Sequence, residues 1–307
     1  MPGSNVVRRM PNVSRPLFLF ALVALLAACS GAPSGSPGTD GSPAASETPA
    51  VSGGNAIDHP TGATDVVLRY EEGGGFMMPA FIATMVPHFT LYGDGTVVFR
   101  DPRVEPPAAE GPVMRQNPFR TATLSEDQVQ ELLAFALGEG GLGVARPTYE
   151  NPMIADASTA IFTIRAGGLD KTVSVYALGL DGEGVPDLPA RAAFSKLAER
   201  LIGLDSGGAF PTDVYTPAAY RVILIDDGGF PGPGPMAWPF GDLTMDDFAI
   251  DPANPNQFPS RVMTAAELDA LGLDDYEGGL MGITVLGPGD GKSYTLGIRP
   301  LLPDETR

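Results

Sequence analysis

The fold is decided by a stretch of sequence that occurs twice: residues 65–76 read DVVLRYEEGGGF and residues 220–230 read YRVILIDDGGF. Each copy is a run rich in β-branched and aromatic residues, followed by two acidic residues and then by Gly-Gly-Phe. Such runs favour β-strands, and the glycines allow the positive φ angles of a sharp exit from the strand. The repetition predicts two related units, each of which opens with a strand.

A helix start follows each copy of the strand, at residues 124–129 (LSEDQV) and 263–268 (MTAAEL). Ser125 and Thr264 are residue types that cap helix N-termini, and a Gln or Glu three residues later completes a capping box. The sequence therefore predicts one amphipathic helix in each unit.

A hairpin comes next in each copy, at residues 161–176 (IFTIRAGGLDKTVSVY) and 283–296 (ITVLGPGDGKSYTL). Strand, helix and hairpin in the same order predict an α+β fold, made of two tandem, related units of antiparallel sheet with one or two packed helices. We expect α+β unit 1 over residues 60–205 and α+β unit 2 over residues 210–307.

The start of the chain has the layout of an export signal. Three arginines with no acid nearby precede an unbroken apolar run, LFLFALVALLAA, at residues 17–28. A membrane-spanning helix needs about 20 apolar residues, so this run is too short to span. We interpret residues 1–28 as a signal peptide.

Residues 26–29 (LAAC) resemble the lipobox of bacterial lipoproteins, in which the cysteine is diacylglycerylated and the signal is cut just before it. The resemblance implies a lipid on Cys29, an anchor in the cell membrane and an extracytoplasmic location. An ordinary signal peptide with a chance cysteine is the alternative. Residues 29–58 would then be a lipidated Ser/Gly/Pro-rich tether, expected to be disordered because it cannot bury enough apolar surface to offset its ordering entropy.

Composition excludes several classes of function. Cys29 is the only cysteine, so once it is lipidated no disulfide, zinc cluster or thiol nucleophile can form. The net charge of −18 argues against binding nucleic acid or anionic lipid headgroups. With two histidines and no G-x-S-x-G or H-E-x-x-H motif, we expect no enzymatic activity, no cofactor and no nucleotide. The remaining partners are the membrane, through the lipid, and a possible envelope protein.

Carboxylates are the remaining catalytic or metal-binding candidates. One acidic cluster consists of Asp242, Asp246, Asp247 and Asp251. Paired acids can hydrolyse glycosides or hold calcium together with carbonyl oxygens. The spacing does not match a calcium-binding loop, and clusters arise by composition in so acidic a chain, so these residues are only weak candidates for a metal.

Loops that carry aromatic residues are the best candidates for recognition. Large apolar side chains in proline-flanked loops suit protein interfaces. The alternative is that such a loop folds its aromatic residues over the sheet edge as a satellite core. If a partner binds, we expect it to contact the two Gly-Gly-Phe loops and the single tryptophan: Gly74, Gly75, Phe76 and Met77, then Gly228, Gly229 and Phe230, and Trp238.

The first copy, residues 65–204, resembles emfourin, a small bacterial inhibitor of thermolysin-type metalloproteases. The shared features are Gly-Gly-Phe after the first strand, a helix begun by Leu124 and Ser125, Asp156 before a strand, a hairpin and a final helix. The chain departs from emfourin in its longer segment 77–120, and no inhibitory residue can be matched.

The whole chain more closely resembles secreted lipoproteins of high-GC bacteria, through LYGDG at residues 91–95 and RPLLPDE at residues 299–305. This resemblance implies no activity. Three functions therefore stay open. We favour a non-catalytic binding protein of the cell envelope, with a tethered, emfourin-like protease inhibitor as the alternative and an acid-based hydrolase as the second alternative.

Overall fold

The computed structural model describes residues 56–205, 211–226, 235–250, 258–269, 272, 274–289 and 291–305. Some predictions concern residues outside this set: the signal peptide, Cys29, most of the tether, Gly228, Gly229, Phe230 and Asp251.

The described chain forms two sheets and four helices, which confirms the predicted α+β class. The strands are β1 (Val66–Gly73), β2 (Phe89–Tyr92), β3 (Thr96–Phe99), β4 (Met114–Arg115), β5 (Arg120–Thr123), β6 (Thr148–Tyr149), β7 (Thr159–Ala166), β8 (Leu169–Tyr176), β9 (Asp213–Val214), β10 (Tyr220–Ile225), β11 (Ser260–Met263), β12 (Leu280–Leu286) and β13 (Ser293–Pro300). The helices are α1 (Pro79–Thr84), α2 (Glu126–Leu137), α3 (Leu188–Ile202) and α4 (Ala265–Asp269).

The first sheet has the strand order β6-β8-β7-β1-β2-β3-β5-β9 and is antiparallel except for the β6–β8 pair. Alternate residues of its central strands point to one face, as the period of two requires, and α2 and α3 cover that face. The resulting core includes Leu68, Tyr70, Phe162, Ile164, Val173 and Val175 from the sheet, and Val129, Leu132, Leu133, Phe194, Leu197 and Leu201 from the helices.

Both predicted helix starts are confirmed. Ser125 accepts a hydrogen bond from the Gln128 amide, and the Gln128 side chain accepts one from the Ser125 amide. Before α4, the Glu267 amide donates to Thr264 Oγ1 at 3.3 Å, and the Thr264 amide donates to Glu267 Oε2 at 2.8 Å. Each reciprocal pair satisfies amides that the first helical turn leaves without partners.

The second sheet has the order β11-β10-β13-β12-β4 and is covered on both faces. Val222 and Leu224 of β10 pack into a cluster with α4 on one face. Ile223 and Ile225 point to the other face, where they pack against Ala80 of α1. The cover on that second face therefore comes from the segment that follows β1, far away along the chain.

Three segments cross the boundary that the sequence suggested near residues 205–210. α1 packs on the second sheet and β4 pairs with β12, although both precede the boundary. β9 follows the boundary and pairs with β5 of the first sheet. Residues 52–307 form one compact unit. The division into two related units stays a prediction, and any such division has to include these three exchanged segments.

Gly282 of β12 is the point at which the crossing chain comes closest. Its φ is +98°, and a Cβ placed there would lie 1.9 Å from the carbonyl oxygen of Pro112. Only glycine adopts this backbone and leaves that space without strain. A glycine in the second sheet thus accommodates backbone that belongs to the first half of the chain.

The C-terminal turn Pro303–Glu305 joins the two sheets through ion pairs. Arg69 of β1 donates to both carboxylate oxygens of Asp304 at 2.8 Å, and the Tyr92 hydroxyl donates to Asp304 Oδ1 at 2.7 Å. The neighbouring Glu305 pairs with Arg299 of β13, with Nη2 2.6 Å from Oε1. Adjacent acids therefore hold one turn to both sheets.

Candidate functional site

Three loops leave the first sheet at the same end. Gly73 at the end of β1 pairs with Thr159 at the start of β7, and Thr159 pairs with Tyr176 at the end of β8. β6 runs parallel to β8 and ends beside it. The connections at residues 74–78, 150–158 and 177–187 therefore lie together, and we call these three segments the loop end.

The first described residues join the sheet at the opposite end. The amide of Gly167, in the turn between β7 and β8, donates to the Asp58 carbonyl at 2.8 Å. Ile57 exchanges two hydrogen bonds with the Gln130 side chain on α2. The chain thus enters the fold at the far end of the sheet from the loop end.

The loop after β1 presents an exposed phenylalanine on a fixed backbone. Gly75 has a φ of +81°, and a Cβ there would lie 3.1 Å from the Ala157 carbonyl carbon, so glycine allows the two loops to touch. The Phe76 amide donates to the Asp156 carbonyl at 3.3 Å. The Phe76 side chain is 91% exposed, while its own amide is bonded to the neighbouring loop.

The second loop is tied to the third by a buried side chain. Asn151 is 2% exposed and its Nδ2 donates to the Leu180 carbonyl at 3.0 Å. Its Oδ1 accepts from the Met153 amide at 3.0 Å. The Ala157 amide also donates to the Tyr176 hydroxyl at 3.0 Å. These bonds fix loops that have no regular secondary structure.

Arg191 of α3 holds the third loop from below and is completely buried. It pairs with Asp181 and donates to the carbonyls of Tyr176, at 2.9 Å, and Ala177, at 2.7 Å. Its Nη1 has no partner among the described residues. A buried guanidinium that serves one loop in this way indicates that the loop's path is strongly constrained.

Backbone strain is concentrated at the loop end. Of the four non-glycine residues with positive φ in the described chain, three lie here: Asp156 at 60°, Ala177 at 52° and Asp187 at 59°. Such residues persist only where the surroundings determine the backbone, and they cluster at functional sites. The loop end is therefore the part of the described fold where strain points to a function.

Apolar side chains stand in solvent at the loop end. Phe76 is accompanied by Met153 at 64% exposure, Leu180 at 53% and Met78 at 47%. Soluble proteins leave single apolar residues exposed without consequence. Several of them on neighbouring, mutually bonded loops are typical of an interaction site.

A polar group lies beneath these loops. The Tyr70 hydroxyl donates to Glu72 Oε1 at 2.5 Å, and the Ser158 hydroxyl donates to Oε2 at 3.4 Å. Burial lowers the pKa of His88, whose ring lies 5.7 Å from that of Tyr70 and whose Nδ1 has no partner among the described residues. A catalytic relay needs the histidine between serine and acid. Here Ser158 bonds Glu72 directly, which is the geometry of a support for the loops.

Trp238 belongs to a loop that folds its aromatic residues over the second sheet, which is the alternative to an exposed contact surface. Its Nε1 donates to the Leu243 carbonyl at 2.6 Å, and its ring packs edge-on against Phe240 and Phe248 with centroids 4.9 and 5.7 Å away. This cluster lies on one face of the second sheet, whereas α1, which follows the Phe76 loop, lies on the other. Phe76 and Trp238 are therefore not brought together in one patch. The other expected contact residues, Gly228, Gly229 and Phe230, lie outside the described part of the chain, so their share in a contact surface stays a prediction.

The acidic candidates that the structure describes, Asp242, Asp246 and Asp247, form no metal-binding group. Asp242 and Asp246 are exposed. Asp247 caps the turn Met245–Asp247, and hydrogen bonds from the Thr244 amide and hydroxyl lower the pKa of its carboxyl. No group of three or more potential ligands that could hold a metal occurs among the described residues. The contacts of Asp247 are therefore structural.

Comparisons with known protein families, with curated proteins and with solved structures find no match to this chain. In the part of the chain that the structure describes, no helix is long and apolar enough to cross a membrane. The resemblances noted in the sequence therefore stay predictions. Sequence reasoning found Phe76 but missed Met153, Leu180 and Arg191.

Proposed function

We propose that this protein is a non-catalytic binding protein of the cell envelope, anchored by a lipid on Cys29, and that its loop end contacts a protein partner. The observation that carries the proposal is Phe76, 91% exposed on a loop whose backbone is bonded to its neighbour. An aromatic residue in that setting supplies a large contact area, and interfaces concentrate their binding energy in such residues.

The fixed backbone supports the same function energetically. Ordering a mobile loop on binding costs free energy, so a loop that is already ordered binds more tightly for the same contacts. The bonds that Asn151 and Arg191 donate, and the one that the Tyr176 hydroxyl accepts from the Ala157 amide, supply this order before any partner arrives. The loop end is therefore suited to bind as a preformed surface.

The path of the chain is consistent with an anchored binding protein. The chain enters at the end of the first sheet opposite the loops, and the eight residues of β1 span about 26 Å. The Phe76 loop therefore lies at the end of the first sheet away from the point where the described chain enters.

Site-specific cross-linking in the native host would test the proposal. A photo-reactive phenylalanine analogue placed at Phe76 should give a discrete adduct. Val144 is the matched control because it is 92% exposed and lies near the entry end, where Lys171 bonds the carbonyls of Gly143 and Ala145. Equal cross-linking at both positions, or none at Phe76, would count against the proposal.

The anchor is tested separately. The Cys29→Ser variant should lose labelled palmitate and be either released or left unprocessed, because the thiol is the only site that the lipobox resemblance offers for a lipid. Label that persists on the variant would rule out a lipid on this residue.

A tethered protease inhibitor is the second candidate, and the Phe76 loop favours it specifically. A single exposed side chain on a rigid loop suits insertion into a specificity pocket, as in preformed protease–inhibitor interfaces. The Cys29→Ser protein should then inhibit thermolysin, and Phe76→Ala should raise the inhibition constant at least tenfold. Absence of inhibition at micromolar protein would count against a thermolysin-type inhibitor.

A further inference from the structure

The loop end is acidic as well as apolar. Its three segments contain five acidic residues and no basic one: Glu150, Asp156, Asp181, Glu183 and Asp187. Two of them are neutralised by flanking arginines, Asp181 by the buried Arg191 and Asp187 by Arg146 at 2.5 Å. Glu150, Asp156 and Glu183 are exposed and have no ion-pair partner among the described residues. The net charge of the surface is therefore 2 − 5 = −3.

We propose that the partner of the loop end is a basic protein segment that carries at least one large apolar side chain. This inference rests on the proposed function, because it names the chemistry of the partner that the loop end would bind. The apolar part of the segment would pack on Phe76, Met153 and Leu180, and its basic residues would meet the three unpaired carboxylates. Opposite charge at the rim of an apolar contact gives specificity and speeds association.

The same charge disfavours the other occupants. Anionic headgroups and nucleic acid would be repelled. A symmetric dimer through the loop end would bring identical patches together, and each copy would place its own unpaired acids against those of the other. Like charges juxtaposed across an interface are unfavourable, so a second copy of this chain fits poorly.

A pair of synthetic peptides gives a direct test. One is an 18-residue amphipathic helix of Leu and Lys, and the other has Glu at every Lys position. Fluorescence anisotropy with the soluble Cys29→Ser protein should show binding of the Lys peptide only, and this binding should weaken as salt rises because charge contributes to it.

Two variants and two matched controls assign that binding to the loop end. Phe76→Ala should weaken it at least about tenfold, as the loss of a central aromatic contact does, and Glu183→Lys should weaken it severalfold. Val144→Ala and Asp127→Lys alter an equally exposed apolar residue and an exposed acid near the entry end. Both controls should bind within about twofold of the parent. Equal losses in controls and variants, or binding of the Glu peptide, would overturn the proposal.

The two proposals fail in different ways. If cross-linking at Phe76 captures a partner whose contacting segment is acidic, the basic partner is overturned and the binding function stands. If Phe76 gives no adduct beyond that at Val144, the binding function itself fails, whatever the peptides do. A dimer in sedimentation that Phe76→Ala dissociates would overturn the basic partner in favour of self-association.

Discussion

The two sheets begin with the same signals and are completed differently. In each, the sequence of the first strand runs on to two acids and glycines, and a capped helix and a hairpin follow. The first sheet covers its apolar face with α2 and α3, helices of 12 and 15 residues from its own stretch of chain. The second has a described helix of only five residues, α4, and receives the rest of its cover from an aromatic loop and from α1.

The difference shows what a helix start does and does not determine. Each capping box determines where its helix begins. Length depends on how far the apolar spacing continues, and α2 buries Val129, Leu132, Leu133 and Ala136 at the intervals of one helix face. The sheet with the shorter helix depends on segments from elsewhere, so the stability of the second sheet should depend on the first.

The largest effect should come from Arg191, beneath the loop end of the first sheet. Arg191→Met leaves Asp181 and two buried carbonyls without their partner, and we expect a loss of about 3–5 kcal/mol in urea unfolding. Lys196→Met is the control on the same helix, because its pair with Glu139 is exposed on both sides and should contribute less than about 1 kcal/mol. Similar losses in both variants would contradict the constraint assigned to Arg191.

The next largest effect should come from the glycine that accommodates the crossing chain. Gly282→Ala adds backbone strain and a clash with Pro112, and we expect a loss of about 2–4 kcal/mol. Gly289, in the β12–β13 turn, also has a positive φ, +84°, but nothing lies within 4 Å of its would-be Cβ. Gly289→Ala should therefore show the strain alone. Equal shifts of the melting temperature in the two variants would mean that the close contact between Gly282 and Pro112 does not affect stability.

A smaller effect is expected at the turn that joins the sheets. Asp304→Asn weakens the contacts to Arg69 and Tyr92, and hydrogen bonds to a charged group contribute about 1.5–3 kcal/mol. We expect a loss of about 2 kcal/mol in urea unfolding. A double-mutant cycle with Tyr92→Phe should give a coupling energy of about 1 kcal/mol. Strict additivity of the two changes would show that the hydrogen bond between them is not stabilising.

The smallest effects should come from the two helix caps. Ser125→Ala and Thr264→Ala should each cost about 1 kcal/mol, the usual loss for a capping side chain. If the sheets unfold together, calorimetry will show one transition that both variants lower. Two transitions, with Thr264→Ala lowering only the first, would show that the second sheet unfolds by itself and that the exchanged segments do not couple it to the first.

Sequence reasoning predicted the elements that carry a local pattern. The two capping boxes and the β7–β8 hairpin have the expected residues in the expected places, because side chains next to them in sequence specify them. β4 and β9 could not be predicted, since two-residue strands are too short to show any period. The position of α1 on the second sheet depends on tertiary packing, which local propensity does not encode.

The site was predictable in part for the same reason. Gly-Gly-Phe after a strand indicates a sharp exit, which located Phe76. Single apolar residues in polar loops, such as Met153 and Leu180, give no pattern before the loops are brought together. Trp238 was ambiguous, since a proline-flanked aromatic residue in a loop fits either a contact surface or a folded-over core.

The position of β1 between the chain entry and the Phe76 loop has a mechanical consequence. A pull between an anchored N-terminus and a partner held at Phe76 would stretch β1 along its own axis. β1 is hydrogen-bonded on both sides, to β2 and to β7, and these bonds lie across the direction of the pull. The hydrogen bonds of the β1–β2 and β1–β7 pairs would then carry the load together, in shear, instead of breaking one at a time. β1 would therefore resist a pull along its own axis better than a pull across it.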